Sequence, residues 1–163
     1  MSVNSLLDET YPESEFAQKP VQIPSVLPER TFLEKMFLLH EEFQRPKEKV
    51  RVDRLSRHLY DIHQISKTEW ADKAFENKSL YETIVKHHHS FTRLGGVNYN
   101  LHQPQTIDFI PSKELLPEWE ADYKSMQEQM IHGNSPKFAE LIGSLTVLKE
   151  KINSLLWKMD VKF

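Results

Sequence analysis

Two short segments carry charged side chains whose types and spacing stand out. The first is Glu29-Arg30-Thr31-Phe32-Leu33-Glu34-Lys35, followed closely by Leu38-Leu39-His40. Taken by residue type alone, it is a capped helix with an exposed lysine, Lys35. The second is Ser56-Arg57-His58-Leu59-Tyr60-Asp61-Ile62. On a helix, Arg54, Arg57, His58 and Asp61 stand at offsets 0, 3, 4 and 7 and form one polar stripe. Taken by residue type alone, the stripe is also an ordinary solvated face. An Arg57–Asp61 pair at i,i+4 is worth only about 0.3–0.5 kcal/mol.

Other chemistries find no support. His87, His88 and His89 are adjacent, so on a helix they point about 100° apart and cannot share one metal ion. They read as a surface or half-buried run. No Gly-x-Ser-x-Gly turn occurs, and Gly143-Ser144 falls in an apolar helical run where the glycine would permit close packing. Gly95-Gly96 lacks the spacing and trailing lysine of a phosphate-cradling loop.

The 163 residues suit one domain with a real core. Charged residues make up 28% and apolar residues 39%, which fits solvated helix faces around a core rather than a disordered chain. A formal net charge of −3 gives no global attraction to nucleic acid. The local exception is Arg45 to Arg57, with Lys47, Lys49, Arg51 and Arg54 between, which reads first as a solvated connector. The absence of cysteine removes disulfides and thiolate metal sites and fits a reducing compartment. With no apolar run near 18 residues and no basic-apolar leader, the expected location is cytoplasmic, with no membrane partner.

The elements that must position these groups are helical. Four glycines against nine prolines argue against a turn-rich β fold. Residues 1–27, broken by Pro12, Pro20 and Pro24, read as an arm or linker with a short β-segment at Val21-Gln22-Ile23. Residues 28–163 read as a helical domain. A capping box at Thr31–Glu34 opens a helix over about 31–44, and Asp53 caps a second over 53–66. A short helix near 70–75 follows, and a second box at Ser79–Glu82 opens 80–94, closed by Gly95-Gly96. Weak strand character marks Ile107 to Ile110. Pro117 starts a helix over 118–131, and Ser135-Pro136 starts the last, over 136–159. The expected fold is therefore mainly α: a bundle of about five to six helices, an extended N-terminal arm, and little or no β-sheet.

The order ERTFLEK…LLH, then SRHLYDI, then Asp122-Tyr123-Lys124-Ser125-Met126 with Met130-Ile131-His132-Gly133 and Pro136-Phe138, resembles the C-terminal half of AbiEii-type nucleotidyltransferase toxins over roughly residues 20–155. These belong to abortive-infection, type IV toxin–antitoxin systems. The resemblance implies transfer of a nucleotide from an NTP to an acceptor, in some members RNA, with Mg²⁺ held by a Gly-Ser motif and a later Asp-x-Asp pair. It implies that Lys35 contacts the triphosphate, that Asp61 acts with it, and that Arg57 and His58 line the nucleotide. Asp61 could hold Lys35 if the two helices pack side by side. No Gly-Ser with a downstream Asp-x-Asp pair occurs in this sequence. The expectation is a C-terminal half, inactive alone and holding no cofactor itself, that works with a separate catalytic half or an antitoxin. The alternative is a non-enzymatic helical module that binds an antitoxin or a second copy of itself. RNA binding through residues 45–57 is a third reading.

Overall fold

A computed structural model describes residues 2–15 and 19–163; the rest of the expected arm, residues 1 and 16–18, lies outside the described residues. Strand β1 (Ser2–Val3) pairs antiparallel with β2 (Val21–Gln22), and a single helical turn, α1 (Leu6–Thr10), lies between them. Six further helices follow: α2 (Pro28–Phe43), α3 (Ser56–Ser66), α4 (Glu69–Glu76), α5 (Lys78–His87), α6 (Leu116–Met130) and α7 (Phe138–Asn153). The fold is mainly α.

Helix α2 is the centre of the bundle and packs on α3, α4 and α5, while α3 packs in turn on α6 and α7. Its start lies one turn ahead of the expected capping box. Pro28 takes the N1 position, where a missing N–H costs nothing and φ is already set for a helix. Thr31 is therefore interior, and Glu34 pairs with Arg30 at 2.8 Å instead of reaching back to a cap. Phe32, Leu33, Met36, Phe37 and Leu39 are fully buried, and Phe37 meets Tyr81 of α5 edge-on at 4.7 Å between ring centres.

Burial in the C-terminal half of α2 extends to polar residues, because His40, Glu41 and Glu42 are covered as well. Buried carboxylates need partners. Glu42 has four. Its Oε1 accepts from the Arg51 amide and Arg45 Nη1, each at 2.7 Å, and its Oε2 accepts from Arg51 Nε and Nη2 at 3.0 and 2.7 Å. These bonds clamp the connector after α2 back onto the helix that precedes it.

Other boundaries also differ from expectation, each for a visible reason. Helix α3 begins at Ser56, because the carboxylate that takes its first amides is Asp122 of α6 and not Asp53. Helix α5 is capped by Asn77, whose Oδ1 accepts from Leu80 N at 3.0 Å, so Ser79 caps nothing. It widens into a π-helical turn over His88–Thr92 and closes on Arg93, at φ 31°, ahead of the glycine pair. Residues 107–110 form no strand: Ile107 and Phe109 are buried in alternation, with no neighbouring strand to pair with. Helix α7 starts at Phe138, where Glu140 accepts from Lys137 N at 3.0 Å, and stops at Asn153. Beyond it the chain is extended. Trp157 donates to Phe75 O at 3.0 Å, Gln105 donates to Leu155 and Trp157 carbonyls, and Met159 is buried off the helix while Leu156 is exposed.

Replacing Glu42 should therefore be costly. Glu42→Ala strands the Arg51 amide and empties a buried position, so urea melts should show a loss of about 2–3 kcal/mol. Glu114→Ala, which breaks the exposed Lys47–Glu114 pair, should leave the midpoint unmoved. Equal behaviour of the two variants would mean that Glu42 is not a buried anchor.

Candidate functional site

Helices α2 and α3 lie side by side, which brings the ERTFLEK and SRHLYDI segments together. Lys35 Nζ donates to Asp61 Oδ2 at 2.7 Å and stands 3.4 Å from His58 Nδ1. His58 and Asp61 are three residues apart on α3, so both meet the lysine from one face. The lysine side chain is 22% exposed and the aspartate 39%, so the pair is accessible from solvent.

His58 is held neutral. Its pKa falls from 6.5 to about 4, first because it is buried, then because Lys35 and Arg57 are positive beside it; Asp61 opposes them. A neutral imidazole with a free Nδ1 lone pair can accept from the Lys35 ammonium. The cation is thus steered by one carboxylate and one imidazole, and it has a further N–H for an incoming anion. An ion pair this exposed contributes little to stability. What it supplies is a fixed position for positive charge.

The expected Arg57–Asp61 pair does not form, because Asp61 is taken by Lys35. The polar stripe is instead divided between two sides of α3. His58 and Asp61 meet Lys35, while Arg57 lines a cleft of about 350 Å³ with Asp53, Arg54, Asp122, Ser125 and Met126. Arg54 precedes the helix, in a left-handed backbone conformation at φ 60°.

A second polar cluster has no counterpart in the sequence reading. Glu41, buried on α2, accepts from His88 Nδ1 at 2.7 Å and His102 Nε2 at 3.2 Å. Burial raises its pKa, but the hydrogen bonds from His102 and His88 outweigh that and leave it lowered. His102 stacks on Tyr99 and meets His40 edge-on at 4.8 Å. His40 falls to about 4, through burial and then through the positive charge His102 would carry; its Nδ1 accepts from Asp108 N at 3.0 Å. Its neighbour Glu41 and the half-buried His88 line a further cleft of about 470 Å³ with Leu38, Arg51 and His87. The only sequence signal for this cluster is a run of imidazoles and a Glu-Glu pair, neither of which names its partners.

Ser144 on α7 meets His63 Nδ1 at 2.7 Å and donates to Leu141 O at 2.8 Å. The contact joins α7 to α3. Gly143 beside it is not there for close packing, since an added Cβ would meet nothing within 4 Å. Among the described residues, no group of three or more histidine and acidic side chains could hold a metal ion. Nor is any helix among them long and apolar enough to cross a membrane.

A family model described as nucleotidyl transferase AbiEii toxin, type IV TA system, matches residues 1–144. No curated protein and no solved structure matches the chain.

Two of the buried imidazoles, His40 and His58, set a pH dependence. Burial brings native His40 and His58 down to about 4 from the ordinary imidazole value of 6.5, so the unfolded chain binds protons first as the pH falls. Stability is full above about pH 6.5 and is lost progressively between 6.5 and 4. Urea midpoints across that window should fall, and His58→Gln should flatten the slope. A midpoint independent of pH there would rule out neutral burial.

Proposed function

The chain belongs to the AbiEii family of nucleotidyl transferase toxins of type IV toxin–antitoxin systems, and from that premise we propose that it supplies the triphosphate-facing side of the transfer site. The observation that carries this reading is Lys35, whose ammonium is held by Asp61 at 2.7 Å with neutral His58 beside it. In nucleotide transfer an acceptor oxygen bonds to the α-phosphorus and the bond to pyrophosphate breaks. Lys35 neutralises the charge that gathers on the departing pyrophosphate, where a preorganised cation stabilises the transition state most. Asp61 and His58 position the lysine.

Among the described residues, no cluster of side chains makes a Mg²⁺ site. The two-metal arrangement needs paired free carboxylates, and no Asp-x-Asp pair is present. Asp61 is committed to Lys35, Glu42 to arginines and Glu41 to histidines. In this reading residues 28–163 are the helical part of the enzyme, residues 1–27 connect it to the metal-binding part, and these 163 residues alone transfer nothing. An RNA acceptor would approach along the basic residues 45–57, and the family implies an antitoxin as partner.

Purified chain incubated with Mg²⁺ and each labelled NTP should incorporate no label, yet should bind NTP, with Lys35→Ala weakening that binding about tenfold. Robust transfer by the pure chain, abolished by Lys35→Ala, would overturn the half-enzyme reading.

One observation favours a second reading, a non-enzymatic module. Leu6, Leu7, Tyr11, Val21, Val26 and Leu27 are all more than half exposed, a concentration of apolar surface within the first 27 residues. Such a surface suits an antitoxin or a second copy of the chain. Sedimentation at rising concentration should then show self-association, or a stable complex with the antitoxin, that Leu6→Ser/Leu7→Ser abolishes. A monomer that ignores the antitoxin counts against the module.

A further inference from the structure

The cleft between α3 and α6 contains two guanidinium groups without partners. Among the described residues, Arg54 and Arg57 make no side-chain hydrogen bond or ion pair, although Asp53 and Asp122 share the cleft with them. Asp122 is occupied elsewhere: its Oδ1 accepts from Arg54 N at 2.7 Å and its Oδ2 from Ser56 N at 3.0 Å. The carboxylate therefore fixes the backbone and leaves the guanidiniums unpaired. Asp53 is exposed and forms no pair with either.

The backbone at Arg54 is the second observation. A non-glycine residue at φ 60° is strained, and glycine would adopt that conformation without cost. Strain persists where the surroundings impose it, and it gathers at binding sites. Here Asp122 imposes it through the Arg54 amide, which leaves the Arg54 side chain over the cleft that Arg57 lines. The remaining walls are Ser125 and Gln129, which are polar, and the thioethers of Met126 and Met130.

We propose that this cleft is a phosphate-binding site, in which Arg54 and Arg57 hold a nucleotide phosphate and Met126 and Met130 form the apolar wall for its base. Paired guanidiniums recognise phosphate oxygens through fixed donor geometry, and methionine adapts to a flat apolar partner. The identification of the ligand as a nucleotide rests on the transferase reading; the unpaired cations and the backbone strain do not. The phosphate belongs either to a free nucleotide or to a strand of RNA.

The test uses the full chain with three probes: a single-stranded RNA octamer, an NTP and inorganic pyrophosphate. Arg54→Gln and Arg57→Gln should each weaken binding of at least one probe fivefold or more without lowering the unfolding midpoint. Arg54→Gly should weaken it equally and raise the midpoint, a pair of opposite changes that a purely structural role would not produce. Loss confined to RNA, with a log–log salt slope of about −1.4 for two phosphates, assigns the site to a strand. Loss of NTP and pyrophosphate binding assigns it to a free nucleotide. Unchanged binding of all three probes in the arginine variants overturns the proposal. If Lys35→Ala abolishes NTP binding while the arginine variants keep all three probes, the cleft falls and the transferase reading stands. The reverse pattern keeps the cleft and removes Lys35 from the site.

Discussion

Glu42 is a fully buried carboxylate at the centre of the bundle, and much of the surrounding structure follows from how it is satisfied. Its two oxygens take both donors of the Arg51 guanidinium fork that reach it, the Arg51 amide, and Arg45. An unpaired charge in that position would cost several kcal/mol, so the connector after α2 has little freedom. It must turn back at Pro46 and return Arg51 to the helix it has just left. That return sets where α3 begins, and so which of its faces meets α2. Glu41, one residue earlier, does the same through His88 and His102. Adjacent carboxylates thus anchor two long connections to one helix.

Lys35 benefits from this rigidity. It stands about two turns before Glu42 on the same helix, and its partners His58 and Asp61 stand on the helix that the Glu42 clamp places. The Lys35–Asp61 pair is itself too exposed to determine the packing. The bundle is held by buried groups and presents the pair with one N–H still free. In the proposed reading, that free N–H is what meets a phosphate oxygen. Keeping His58 neutral serves the same end, because a protonated imidazole there would repel the ammonium it steers.

Much of the helical arrangement could be read from periodicity: Phe32, Met36 and Phe37 on α2, Leu59 and Ile62 on α3, and Leu141, Leu145, Leu148 and Ile152 on α7 all face the core. What could not be read was decided over long sequence separations. Asp53 is a chemically sound N-cap, but Asp122, 66 residues beyond Ser56, takes the amides first. Thr31–Glu34 fits the pattern of a capping box, yet Pro28 had already started the helix a turn earlier. The end of α7 carries no glycine or proline; it is set by Asn153 donating to the Pro104 and Ile107 carbonyls. Glu41 and Glu42 carry no local mark of burial, because their partners at 51, 88 and 102 are invisible to a helical window. Lys35 and Asp61 could be named from motif order, but Arg57 and Asp61, equally plausible partners at i,i+4, are drawn apart by the stronger claim of Lys35.

That separation makes α3 a shared wall. One face gives Asp61 and His58 to Lys35; the other gives Arg57 to the cleft against α6. Residues four apart on a helix normally compete for each other, and an Arg57–Asp61 pair would have removed both the anchor of Lys35 and the free guanidinium. Asp122 belongs to the same logic. By capping α3 from a different helix it uses its negative charge on backbone amides, where it favours the helix N-terminus, and leaves the arginines beside it unneutralised. The strained Arg54 backbone is the local cost of that arrangement. A sequence selected for stability alone would have glycine at 54 and an arginine paired with Asp61; this one has neither, and both departures leave positive charge accessible on the two faces of α3.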